Sequence, residues 1–404
     1  MTSELQAACA THSRVAVLSD LRVSTMSPTV THKLLDDARR LLAEGDLRSV
    51  LALCRPVLAS MPNEPDAAWL VGVALLGRGR AFQALSAIAP ALESNPDRAD
   101  LQSLRILCAL EGGRLHLARR SAEQALRRAP GNADIAEALR QADARIAELN
   151  DLIGSTSRPL LTEAQREPLQ RDFRSNYRLV PIIINSRDRV SCLERLIAWL
   201  RTAGYTNLAI LDNHSTYPPL LDYLSGLGGE IVVLRSARNF GPRALWSSGL
   251  ISLLSDVPFV YTDPDIVPVE DCPHDAVAML SDLLDAHGRA TKAGLGIKID
   301  DIPETYEGKA KVRAWESQFW QRPLAGNCYD APIDTTFALY RPGSWHQLQA
   351  VRAGAPYLVR HLPWYADSSQ PTAEDRYYTE HAVSDMSSWS GRAISDMYQA
   401  HSQS

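Results

Sequence analysis

The chain has 404 residues, 45% of them apolar and 22% charged, which is enough for two or three globular domains and excludes fibrous and wholly disordered classes. Lys+Arg 42 against Asp+Glu 47 leaves a net charge of −5, so there is no basic footprint for a nucleic-acid or anionic lipid surface. No apolar run approaches the roughly 18 to 20 residues of a membrane helix, and the N-terminus lacks the charged-then-apolar pattern of a secretory signal. The expected location is the cytoplasm, free or peripheral to the inner face of the membrane. Cys9, Cys54, Cys108, Cys192, Cys272 and Cys328 are scattered without C-x-x-C spacing, which reads as reduced thiols rather than a disulfide or zinc framework.

Residues 1–30 are rich in Ser and Thr and read as a flexible tail, with Met26 an alternative start. From Thr31 a 34-residue period sets in: Gly45, Gly79 and Gly113 repeat at that interval, and so do Pro62, Pro96 and Pro130. Gly suits the turn between two helices of a pair and Pro the end of the second. Small residues, Gly72, Ala84, Ala91, Ala118 and Ala125, fall where the helices must approach closely. This pattern resembles the tetratricopeptide repeat (TPR), most clearly over "EPDAAWLVGVALLGRGRAFQALSAIAPALESNP". The first unit, residues 31–64, departs from it with Ala38 and Val50 at packing positions. A polar-faced helix at 133–149 would cap the solenoid. The TPR-like domain is thus expected over 31–150, and a polar linker ending in a short helix over 151–177.

From residue 178 the periodicity becomes that of an α/β domain, reaching to about 395 and leaving 396–404 as a tail. Apolar runs "RLVPIIIN", "NLAILDN", "EIVVLR" and "PFVYTDPD" read as parallel strands, and the stretches between them as helices. Such a sheet is wound right-handed and gathers ligands beyond its carboxyl strand ends. Those ends carry Asn185 and Arg187, then Asp212 and Asn213, then Arg235 and Asn239, then Asp263 and Asp265. No G-x-G-x-x-G or P-loop follows the first strand, so dinucleotide and P-loop chemistry are set aside. A carboxylate at Asp212 can accept from a nucleobase or ribose hydroxyl. Asp263 and Asp265, one residue apart at a buried strand end, are hard oxygen ligands suited to Mg²⁺ or Mn²⁺, ions that clamp a diphosphate.

In order and spacing, "VPIIINSRDR", "LAILDNHST", "NFGPRALWSSGL" and "VYTDPDIVP" resemble the GT-A class of nucleotide-sugar glycosyltransferases, family-2-like, over residues 179–268. The resemblance implies a Rossmann-like, mostly parallel sheet after the helical repeats, an α + α/β chain. It implies that Asn185, Arg187, Asp212 and Asn213 hold the nucleoside and that Asn239 and Gly241 line the sugar-diphosphate side. Asp263 and Asp265 would hold the donor through Mn²⁺ or Mg²⁺. Many members add a metal-binding His from the C-terminal part, for which His361 is the candidate. An acceptor hydroxyl needs a carboxylate within hydrogen-bond reach; Asp334 is preferred, followed by Asp330 and Glu316, and a literal Glu374-Asp375 pair occurs later. Aromatic residues are dense from Trp315 to Trp389 (Phe319, Trp320, Trp345, Trp364, Tyr365, Tyr377 and Tyr378 among them), and two or three are expected to stack on sugar rings.

The expected activity is therefore metal-dependent hexosyl transfer (EC 2.4) from a UDP- or GDP-sugar to a glycan, lipid-linked glycan or protein hydroxyl, as in polysaccharide biosynthesis. The TPR array would bind a partner or a second copy of the chain. The alternatives are a catalytically inactive GT-A/TPR scaffold, and nucleotidyl transfer, which normally opens with a Gly-rich loop missing here.

Overall fold

The computed structural model describes residues 27–78, 80–156 and 158–381. The tail at 1–26, Cys9, Gly79, Trp389 and the end of the chain from 382, including the expected 396–404 tail, lie outside the described residues. The chain forms two compact units divided between Ile146 and Ala147.

The first unit is all helix: Pro28–Ala43, Leu47–Ser60, Pro65–Gly77, Ala81–Ser94, Ala99–Glu111 and Leu115–Arg128, followed by Ala133–Gly154, in which the division falls. Local chemistry sets these boundaries. Asp46 and Glu64 cap their helices through Ser49 N–H and Ala67 N–H, and Gly45 and Gly113 turn the chain at φ 80° and 64°, a conformation glycine adopts without steric cost. Each of Pro62, Pro96 and Pro130 stands two residues beyond a helix end. Ala84, Ala91 and Ala118 are fully buried. A Cβ on Gly72 would stand 2.7 Å from both Ile88 and Leu104, so close helix contact excludes any side chain there. Ala38 and Val50 are likewise buried to completion, so the first helix pair packs in spite of its departure from the pattern.

The second unit is built on a nine-stranded mixed sheet of order β3-β2-β1-β4-β10-β6-β11-β9-β8. The expected parallel strands are β1 (Ile182–Ser186), β2 (Leu208–Asp212), β3 (Val232–Arg235) and β4 (Phe259–Thr262); β1 pairs in parallel with β2 and β4, and β2 with β3. Their continuous apolar runs follow from burial on both faces. The remainder, β6 (Lys292–Gly294), β8 (Pro323–Leu324), β9 (Cys328–Asp330), β10 (Ala338–Tyr340) and β11 (Val351–Ala353), is joined mainly by antiparallel pairs, with β10 running antiparallel to both β4 and β6. A second sheet orders β5 (Ile266–Pro268), β12 (Leu358–His361) and β7 (Gly296–Ile297). Residues 163–171 and 173–176, within the stretch read as a linker, are helical. Cys54, Cys108, Cys192, Cys272 and Cys328 are free and buried. No helix among the described residues is long and apolar enough to cross a membrane.

Candidate active site at the strand ends

With β1 flanked by β2 on one side and β4 on the other, strand order reverses between β1 and β4, the place where open sheets leave a crevice. A cleft of about 590 Å³ lies there, lined by Arg189, three residues past β1, and Asp265, three past β4, with His361, Trp364, Asp375 and Tyr378. A smaller cavity of about 180 Å³ adjoins it, lined by Asp263, Glu316, Asp334, Thr335 and Arg352. His361 and Trp364 line both.

Asp263 is tied down from two directions: its N–H donates to Thr335 O at 3.1 Å, and the Thr335 hydroxyl donates to its carboxylate. Burial raises its pKa well above the usual carboxylate range, aided by the charges of Asp265 and Asp334 and opposed by Thr335. Asp265 Oδ2 faces His361 Nε2 at 3.6 Å. Burial lowers the pKa of His361, with Arg189 adding to that and Asp265 opposing it; its buried Nδ1 has no hydrogen-bond partner. Two carboxylates crowded together beside an imidazole biased toward neutrality form a donor set that suits a hard divalent cation. Among the described residues no three His, Cys, Asp or Glu side chains form a ready ligand cluster; Mg²⁺-type ions commonly take only one or two carboxylates and complete their shell from phosphates and water.

At the end of β2, Asp212 is fully buried, accepting from Ser215 N–H and Arg235 Nε at 3.0 Å each. Three asparagines brace one loop. Asn213 accepts from Phe240 N–H at 2.7 Å and donates to Gly241 O at 2.9 Å, Asn239 Oδ1 accepts from Gly241 N–H at 2.8 Å, and Asn185 Nδ2 donates to Gly241 O and Pro242 O at 3.4 Å. Gly241 has φ 76°, as the tight turn demands. Asn185 Oδ1 is buried with no partner. Arg187 donates to His381 O at 3.1 Å.

The carboxylate candidates separate sharply. Asp334, which lines the small cavity, has a side chain 58% exposed, with His346 Nε2 3.2 Å from Oδ1. Surrounding protein pushes its pKa up, but His346, Lys292 and Arg243 outweigh this and hold it below the usual range. Glu316 is buried against Arg352 at 2.8 Å; burial raises its pKa while Arg352 opposes the rise. Asp330 lies on β9, next to the edge strand β8, 3.3 Å from Arg322, and lines neither cavity. Glu374 accepts from the N–H groups of Val190 and Ser191, and Asp375 pairs with Arg189 at 2.9 Å. Of the aromatic residues, Trp315, Phe319, Trp364 and Tyr378 line the two cavities, while Trp345 packs on Trp246 and Trp320 on Tyr329.

Arg189, Lys292, His346 and Arg352 are absent from the sequence reading. Arg189 stood within the quoted "NSRDR" loop and was findable by its position after β1; the other three carried no local signal.

Residues 41–106 match the tetratricopeptide repeat family. No curated protein matches the sequence. Solved structures with partial likeness include a mannosyltransferase from Pyrobaculum calidifontis in complex with GDP-Man and Mn²⁺, at 14% identity and TM-score 0.29, covering 52% of this chain and 68% of that one. Another is an O-GlcNAc transferase variant from Thermobaculum terrenum, at 16% identity and TM-score 0.25, covering 57% of this chain and 45% of that one.

Proposed function

We propose that the second unit is a metal-dependent, GT-A-type glycosyltransferase, moving a sugar from a nucleoside diphosphate to a hydroxyl of a glycan, lipid-linked glycan or protein. The observation that carries this reading is the placement of Asp263 and Asp265 just past β4, at the reversal of strand order, with Asp334 lining the same small cavity as Asp263. Asp263, Asp265 and His361 would hold Mn²⁺ or Mg²⁺, which supplies charge neutralisation for the departing diphosphate. Asp212 and the Asn185–Asn213–Asn239 brace would frame the nucleoside.

In the transfer, the bond from the sugar C1 to the phosphate oxygen breaks and a bond from C1 to the acceptor oxygen forms. Asp334 takes the acceptor hydroxyl proton; its lowered pKa keeps it ionised for that task. Phe319 and Tyr378, half-buried in the lining of the two cavities, would supply flat apolar faces for sugar rings. The repeats would present a partner protein or bind a second copy of the chain.

The test is a thermal-shift screen of the full chain with UDP, GDP, CMP and dTDP and their sugar conjugates, each with Mn²⁺, Mg²⁺ or EDTA. Binding to the folded state raises apparent stability by mass action. A metal-dependent shift with one nucleotide is expected; no shift with any would favour the scaffold reading.

A further inference from the structure

Lys292 is 0% exposed in the middle of the sheet, on a strand with neighbours on both sides. An ammonium at such a position is costly unless it is fully hydrogen-bonded, and an apolar side chain would serve packing better. Its Nζ reaches three oxygens: Ile333 O at 2.5 Å, Asp334 O at 3.2 Å and Tyr340 Oη at 3.2 Å. His346 is also buried. Its Nε2 lies 3.2 Å from Asp334 Oδ1 and 3.3 Å from Asp334 O; since both are acceptors, Nε2 carries the proton.

We propose that Lys292 and His346 are positioning residues that fix Asp334 in the small cavity, Lys292 by gripping two successive carbonyls and His346 by orienting the carboxylate. The inference rests on the transferase reading, in which Asp334 accepts the proton. Asp263, on the metal side, is held separately, by Thr335 through its backbone carbonyl and its hydroxyl. Asp334 is thus the group whose position depends on Lys292 and His346. A displacement of about 1 Å at such a group costs on the order of 100-fold in rate.

The experiment compares full-length wild type with Lys292→Met, His346→Phe and His346→Gln. Three quantities are read: affinity for UDP and GDP with Mn²⁺, kcat and KM with the nucleotide sugar that gives the largest thermal shift, and amide hydrogen exchange over residues 333–336. Expected are nucleotide affinity within about twofold of wild type, kcat lower by about 100-fold with KM for the donor nearly unchanged, and faster exchange in that segment. His346→Gln, which keeps a donor, recovers at least part of the kcat lost in His346→Phe. Wild-type kcat in Lys292→Met and His346→Phe overturns the proposal. So does a parallel fall of affinity and kcat, the mark of a packing role. If Lys292→Met does not fold, the His346 pair decides. A wild type that turns over no nucleotide sugar fails the transferase reading itself, and unchanged exchange in the variants separately overturns the pinning.

Discussion

Glu374 caps a helix that begins 184 residues earlier: its Oε1 accepts the Ser191 hydroxyl at 2.8 Å, and its Oε2 accepts the N–H groups of Val190 and Ser191 at 3.1 Å each. The helix Val190–Thr202 draws no side-chain cap from its own Arg189, so a distant carboxylate satisfies its first amides and complements its dipole. The same contact anchors the helix Ala373–Glu380, from which Asp375 and Tyr378 reach the cleft. Replacing Glu374 with Ala is expected to destabilise the second unit by about 1–3 kcal/mol, with Glu374→Gln losing less because an acceptor oxygen remains. Urea denaturation measures this, and an Ala variant as stable as wild type refutes the capping role.

In the repeat unit, Gly72 lies where a Cβ would come within 2.7 Å of both Ile88 and Leu104. A Val side chain there would drive into Ile88 and Leu104, and overpacking of this kind costs about 1–3 kcal/mol. Gly72→Val should lower the urea midpoint of the helical signal and leave nucleotide affinity of the second unit intact. An unchanged midpoint would mean that the helices can part without penalty.

What could be read from sequence divides along the range of the forces involved. Repeat punctuation is local: Gly45 and Pro62 act on their own turns, so the helix pairs were visible. Strands β1 to β4 announce themselves as apolar runs because both their faces are covered. The strands from β5 onward are two to four residues long, too short for any periodicity, and the antiparallel half of the sheet was therefore hidden. Asp263 and Asp265 could be picked out as a pair, being separated by one residue. Asp334 was preferred to Asp330, but no pattern shows that four residues of chain put Asp330 on β9, outside both cavities, and Asp334 in the lining of the small one. Lys292 and His346 meet Asp334 only because β10 inserts between β4 and β6, a pairing that no local signal encodes.

Lys292 also gives stability a pH dependence. Burial pulls its ammonium down to about 7, from an ordinary 10.5, so from pH 7 upward the unfolded chain binds a proton that the folded chain has released. Stability contributed by this site therefore rises with pH in that window, by at most about 1.4 kcal/mol per unit. Above about pH 9 the buried thiols of Cys192 and Cys272, pushed up to about 12, act in the opposite sense, because the unfolded thiols lose protons first. Urea midpoints of wild type minus Lys292→Met between pH 7 and 9 should climb; a flat difference would place the Lys292 pKa near its ordinary value.

Asp265 faces His361 without closing a hydrogen bond, and its removal leaves the fold's apolar core untouched. Asp265→Ala should melt within about 2 °C of wild type, a surface-like cost, while losing the Mn²⁺-dependent nucleotide shift. A shift of wild-type size in that variant would remove Asp265 from the metal site.

Asp334→Asn keeps an oxygen for His346 Nε2–H and the backbone grip of Lys292, so the cavity stays as built while the proton acceptor is gone. Nucleotide affinity should hold within about twofold, and transfer should fall by about 10² to 10⁴. Asp330→Asn serves as the control: it breaks only the edge contact with Arg322 and should leave the rate alone. If Asp334→Asn turns over normally and Glu316→Gln does not, the proton goes to Glu316, and the buried Arg352 pair becomes the means by which that carboxylate is kept ionised.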